Sequence, residues 1–190
     1  MPGDPTPHTR NTERTRRAVL DATARALATH GGGVTLVSIA EEAGVSKGGL
    51  LHHYPTRNVL LLAVATDVLE RFRAEVMRFL DLSENHPGKV LRAYVRALCG
   101  GSAEAMNFFA YSGLWNSVHM VPGVTEAAQA DAEQWADAFA QDGLHPDCVL
   151  IVQYAAEGMA AAAHYDPSIT ADRLAHAREL LIALTNRNAP

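Results

Sequence analysis

Only two cysteines, Cys99 and Cys148, occur in the 190 residues, and they lie far apart in apolar, helix-like stretches. This spacing excludes a disulfide framework and a zinc cluster. Two buried thiols are the expected state, because free cysteine behaves as a small hydrophobe; nothing in the sequence supports redox sensing. No apolar run reaches the roughly 18 residues needed to cross a bilayer. The segment Met1 to Thr12 is polar and proline-rich and lacks the apolar stretch of a signal peptide, so residues 1–11 read as a disordered leader on a cytoplasmic protein. The sequence also lacks a phosphate-binding loop, a dinucleotide fingerprint, metal-ligand spacing and a nucleophile with a positioned base. These gaps argue against an enzyme and imply no cofactor and no metal. Glu157, a lone carboxylate in an apolar helix, does not make a mechanism.

What remains is globular: 48% hydrophobic residues with a mean hydropathy of -0.05. The formal charge of -5 is unevenly spread. Residues 1–57 hold seven Lys/Arg against five Asp/Glu, and residues 58–190 hold nine against sixteen. A mildly basic head on an acidic body suits a protein that meets phosphate at one end only.

Apolar residues recur at spacings of three and four throughout, and no segment reads as a strand, so the fold class is all-α. The first helix spans about Thr12 to His30, with Val19, Ala22, Ala26 and Leu27 facing inward, and Gly31-Gly32-Gly33 ends it. Thr35 is an N-cap candidate for a short helix from Leu36 to Ala43. Gly44 makes a tight turn plugged by Val45. Ser46 then opens a second short helix from Lys47 to His53 or Tyr54, which Pro55 stops. Two short helices joined through a glycine turn make a helix-turn-helix. A long helix follows from Arg57 to about Leu80. Breaks at Asn85-His86-Pro87-Gly88, Gly100-Gly101, Val121-Pro122-Gly123, Asp142-Gly143 and Asp166-Pro167 divide the rest into about five helices.

The second short helix is the sharpest feature. A recognition helix enters the major groove of double-stranded DNA with its N-terminal residues near base edges. Here that end is Ser46-Lys47-Gly48-Gly49, and two helical glycines, each costing roughly 1 kcal/mol against alanine, let the backbone approach DNA closely. Lys47 can reach phosphate or guanine acceptors. His52, His53 and Tyr54 can donate to phosphates, Arg57 can clamp one bidentately, and Thr35 can offer its hydroxyl and the amides of its helix. Arg10, Arg14, Arg16 and Arg17 form either a DNA-contacting arm or a solvated basic helix start. His52 and His53 point in different directions on a helix, which excludes a metal pair.

From Arg14 to Val64 the chain resembles the TetR family of bacterial regulators. The likeness rests on Val34-Thr35-Leu36-Val37-Ser38-Ile39-Ala40-Glu41-Glu42-Ala43-Gly44-Val45-Ser46-Lys47-Gly48-Gly49-Leu50, then His52-His53-Tyr54-Pro55-Thr56-Arg57 and a long helix with Leu60-Leu61. The resemblance implies an all-α homodimer of about nine helices, with a DNA head over residues 12–56 and a ligand-binding and dimerisation body over 57–190. It places DNA contacts at Thr35, Val37, Ser46, Lys47, Gly48, Gly49, Leu51, His52, His53 and Arg57. Leu51 departs from the family, which commonly has tyrosine there, and Val37 stands where some relatives have a base-reading polar residue. The implied function is a repressor released from a palindromic operator by a small molecule. The alternative is a helical ligand-binding or interaction protein that has lost DNA binding.

In the body, Met106, Phe108, Phe109, Tyr111, Trp115 and His119, with Trp135 and Tyr154 approaching, either line a cavity for a largely apolar ligand or pack as core. The last two helices, about Pro146 to His164 and Ile169 to Asn186, either pair with their copies or form core. Ala155 to Ala163 permits close approach, and Leu174, Leu181 and Leu184 offer an apolar stripe.

Overall fold

The computed structural model describes residues 7–100, 102–110 and 112–187, without the side chains of residues 7–11, 103, 106, 109, 110, 112, 113 and 187. Among the described residues there are ten α-helices and no strand. They are α1 (Pro7–His30), α2 (Leu36–Glu42), α3 (Lys47–His53), α4 (Arg57–Arg78), α5 (Lys89–Cys99), α6 (Ala103–Ala110), α7 (Ser112–Val118), α8 (Val124–Gln141), α9 (Pro146–Ala162) and α10 (Ala171–Arg187). This agrees with the expectation of about nine, the stretch after Ser102 forming two short helices, α6 and α7. The first helix also starts earlier than Thr12: Pro7 opens it, where a fixed φ and a missing N–H cost nothing. Residues 7–11, expected in the leader, are therefore helical, and residues 1–6 lie outside the described residues. No helix among the described residues is long and apolar enough to cross a membrane.

The chain divides into two compact units. One holds the described residues up to Asp67 together with 112–127; the other holds Val68 to Ala110 and residues 128–187. In the first, the expected stripe of α1 is fully realised, with Val19, Ala22, Ala26 and Leu27 all buried. They are joined by Ile39 and Ala40 of α2, Leu50 of α3, Leu60, Leu61 and Val64 of α4, and Leu114 and Val118 of α7. Helix α7 packs on α1 and on the tight 3-10 turn of Gly31–Gly33. Ser117 comes so near that a side chain on Gly32 would start 3.6 Å from it.

The second unit is built on α5, α9 and α10, which pack on one another. Its core centres on rings. Trp135 stacks on Phe139 with centroids 5.6 Å apart, and Tyr94 meets Trp135 edge-on at 5.0 Å. Phe72 stacks on Phe108 at 4.4 Å. Burial and the Glu157 carboxylate, which accepts from the Tyr94 hydroxyl at 2.8 Å, push that hydroxyl above its ordinary pKa. Gln153 donates to the same carboxylate oxygen at 2.9 Å, so Glu157 has structural partners. Both cysteines are buried, and burial raises the Cys99 thiol to about 11.

A polar knot ties the start of α5 to two distant segments. Arg92 is 1% exposed, yet donates to Glu84 at 2.6 Å, to the Pro87 carbonyl at 2.8 Å and to Thr185 of α10 at 3.3 Å. A further N–H reaches His86 Nδ1 at 2.9 Å. Asp142 supplies the cap that α5 lacks locally, accepting from the amides of Val90 and Leu91 at 2.7 and 3.1 Å. Gly88, with φ +93°, could not carry a side chain, since its Cβ would start 2.7 Å from both Arg92 and Leu144.

Candidate nucleic-acid interface

Local chemistry fixes the two short helices. Thr35 caps α2: its hydroxyl accepts from the Ser38 amide at 3.1 Å, and Ser38 Oγ accepts in return from the Thr35 amide at 3.2 Å. Such a reciprocal cap is worth about 1 kcal/mol. At the other end, Gly44 takes φ +68°. The Val45 amide donates to Ala40 at 2.9 Å and the Gly44 amide to Glu41 at 3.1 Å, the paired bonds of a glycine-terminated helix. Ser46 caps α3 by accepting from the Gly49 amide at 3.0 Å. Leu50 is the buried anchor of α3.

With Leu50 inward, α3 presents Ser46, Lys47, Gly48 and His52 to solvent, with Gly49, Leu51 and His53 at the margins. The His52 and His53 rings meet edge-on at 5.4 Å. Thr35 and Val37 are exposed on α2. A Cβ at Gly49 would press on Ser46 Oγ at 3.3 Å, whereas at Gly48 it would meet only that atom at 3.9 Å. The protein interior therefore gives Gly49 a partial reason to be glycine and Gly48 almost none.

Tyr54 and Arg57, expected as contacts, and Arg16 and Arg17, left open between an arm and a basic helix start, all have neighbours inside the protein. Tyr54 is 2% exposed with its hydroxyl buried, so it is core and cannot reach a phosphate. The spacing carried that signal, because Tyr54 lies four residues after Leu50 and shares its inner face. Arg57 holds the turn before α2 through Nη2, donating to the Gly32 carbonyl at 2.7 Å and the Val34 carbonyl at 3.5 Å. Arg17 pairs with Asp67 of α4 and with Asp21 at 3.4 Å. Arg16 lies against the Tyr54 hydroxyl. The side chain of Arg10 lies outside the described residues.

The expected ligand residues that are described divide between the two units. Trp115, half-buried, and His119, exposed with Nδ1 2.8 Å from the Asn116 carbonyl, belong to the first unit. Trp135 is core in the second, wrapped by Phe72, Tyr94 and Phe139, with the Arg73 guanidinium 4.3 Å over its ring. Tyr154 is 61% exposed. The side chains of Met106 and Phe109, and all of Tyr111, lie outside the described residues. The second unit instead carries a cleft of about 640 Å³ between the end of α4 and the start of α6, lined by Arg71, Glu75, Arg78, Phe79, Ser102 and Glu104. No aromatic pattern could have announced it, since Phe79 is the one ring among its described lining residues.

Capped helices joined at a left-handed glycine, with a lysine and an exposed glycine leading the second, define a helix-turn-helix DNA-binding protein. A family model described as "Bacterial regulatory proteins, tetR family" matches residues 19–64, and one described as "Tetracyclin repressor-like, C-terminal domain" matches residues 88–186. The chain belongs to the TetR family of DNA-binding transcriptional regulators. Among solved structures it is similar to a transcriptional regulator from Rhodococcus sp. Rha1, with 18% identity over 94% of this chain and 97% of that one and a TM-score of 0.71. A TetR family regulator from Marinobacter aquaeolei VT8 gives 20% identity over 93% and 97%, with a TM-score of 0.70. The TetR-like regulator LfrR from Mycobacterium smegmatis, in complex with proflavine, gives 21% over 93% and 98%, with a TM-score of 0.57. No curated protein matches.

Proposed function

We propose that the protein is a homodimeric repressor whose α3 helices read a palindromic operator and which a small molecule releases. The carrying observation is the exposed Lys47-Gly48 edge of α3, capped at its start by Ser46. Phosphate contacts come from Thr35, Ser46, His52 and His53, and base contacts from Lys47 and the backbone face at Gly48. Release requires that the effector bind the DNA-incompetent state more tightly than the competent one. LfrR, a neighbour of the same fold, carries a bound small molecule. In a gel-shift assay on DNA flanking its own gene, binding is expected to prefer one palindrome and to fall steeply with salt. Equal affinity for unrelated duplexes sinks the proposal.

Dimerisation is supported by an apolar face on α9 and α10. Leu150, Ile151 and Tyr154 are 56, 60 and 61% exposed, and Leu180 and Leu184 are 54 and 37% exposed. Ile151, Tyr154 and Gly158 follow a spacing of three and four and so share one side of α9. The stripe expected from Leu174 and Leu181 is not this face, because both are buried in the core. A second copy covering these side chains turns exposed apolar area into an interface. Ile151→Glu with Leu180→Glu is expected to halve the mass seen by sedimentation at micromolar concentration; a wild type already monomeric there overturns it.

A further inference from the structure

The second unit holds a smaller cleft of about 420 Å³ that adjoins the larger one at Phe79 and Gly100. In the larger cleft the charges are answered internally. Arg71 meets Glu104 at 3.2 Å, Arg78 meets Glu75 at 3.0 Å, and Ser102 donates to Glu75 at 2.6 Å. The smaller cleft differs. Its walls are Phe79, Arg96, Arg178, Glu179 and Ile182, with Gly100 at the shared edge. Arg178 is answered by Glu179 at 3.0 Å. Arg96, however, shares the single carboxylate of Glu84 with Arg92. Two guanidiniums thus meet one carboxylate, and one of them is 1% exposed, beyond the reach of screening water. Burial pushes the Glu84 carboxyl up, but hydrogen bonds from Arg96 and Arg92 outweigh it and hold the group below its ordinary pKa. The carboxylate is thus ionised at neutral pH and sets one charge against two, the second being answered in part by the exposed Asp81, whose carboxyl is lowered by hydrogen bonds from Ser83 and also by Arg96. Arg96 Nη1 is buried with no acceptor, so a ligand meets it once the guanidinium turns toward the cleft.

Resting on the regulator reading, we infer that this cleft is an effector site for a small organic acid: a monoanionic carboxylate with an apolar body. The carboxylate meets Arg96, whose planar fork matches it, and the body lies between Phe79 and Ile182. A dianion fits less well, because at most one surplus charge is available and Glu84 and Glu179 would repel a second negative charge. The cleft also abuts the end of α4, the helix that begins at Arg57, so a ligand there bears on an element that reaches the DNA-binding unit.

Calorimetry on the full chain without DNA, using 2-naphthoate, 2-naphthol and 2-naphthylmethylammonium, tests the site alone. Naphthoate is expected to bind at least tenfold more tightly than the other two. Arg96→Gln is expected to weaken it at least tenfold. Because Arg96 also holds Glu84, Ile182→Trp, which fills the cleft without touching that pair, serves as a second variant and should abolish binding. Equal binding of the three probes, preference for the ammonium, no binding of naphthoate at millimolar concentration, or undiminished binding in both variants overturns the inference. Gel shift with and without naphthoate reads regulation separately. A protein that never selects a palindrome fails the regulator reading, whereas one that selects it but is not released by bound naphthoate fails only the effector role.

Discussion

Arg92→Met is expected to lower the stability of the protein by about 3 kcal/mol, the order found when one partner of a buried ion pair is removed, and to show this as an earlier midpoint in urea. The side chain is almost wholly buried and joins Glu84, the Pro87 carbonyl, His86 and Thr185. Methionine fills part of the volume but leaves these acceptors without their donor. The penalty is smaller than for an isolated pair because Glu84 keeps Arg96. The pH dependence has a definite sign. Glu84 is held below its ordinary value of 4.5, so its ionised pairing stabilises the fold fully above about that pH and is lost as pH falls through the depressed value. The gap between wild type and variant should therefore be full at pH 7 and narrow in acid below pH 4.5. A gap that stays constant from pH 7 to pH 3 overturns this account.

Which features were legible follows from how far apart their causes lie in the chain. Thr35, Gly44 and Ser46 act on backbone groups two to five residues away, so a cap and a turn could be read from neighbours alone. The stripe of α1 was legible for the same reason, because burial there follows helical spacing. Arg92 was not: its setting depends on Glu84 and on Thr185, 93 residues away, and an arginine in α5 gives no local sign of them. Arg57 is a similar case. Its position at the start of α4 suggested phosphate, while its Nη2 also holds the carbonyls of Gly32 and Val34. The packing of α7 on the Gly31–Gly33 turn is equally non-local. The aromatic residues were grouped by nearness in sequence, but packing sends Trp135 into a ring cluster and Tyr154 outward.

Gly48→Leu is expected to separate stability from function more sharply than any other change in α3. Inside the protein a Cβ at this position meets only Ser46 Oγ at 3.9 Å, an ordinary contact, so the substitution introduces no clash. Replacing a helical glycine removes a conformational entropy cost, so stability should hold or rise by up to about 1 kcal/mol. Operator affinity should move the other way. Gly48 follows Lys47 on the exposed leading edge of α3, and a leucine there stands between the helix backbone and the groove. A loss of at least tenfold, about 1.4 kcal/mol, is expected in gel shift, with the urea midpoint unchanged or higher. Lys47→Ala is the companion measurement. It should weaken binding and also reduce the salt dependence by about one phosphate contact, whereas Gly48→Leu should leave that slope unchanged, because it adds bulk without removing charge. If Gly48→Leu binds the operator as wild type does, close backbone approach is not why glycine stands at this position, and specificity must lie with the side chains of Lys47, His52 and His53 alone.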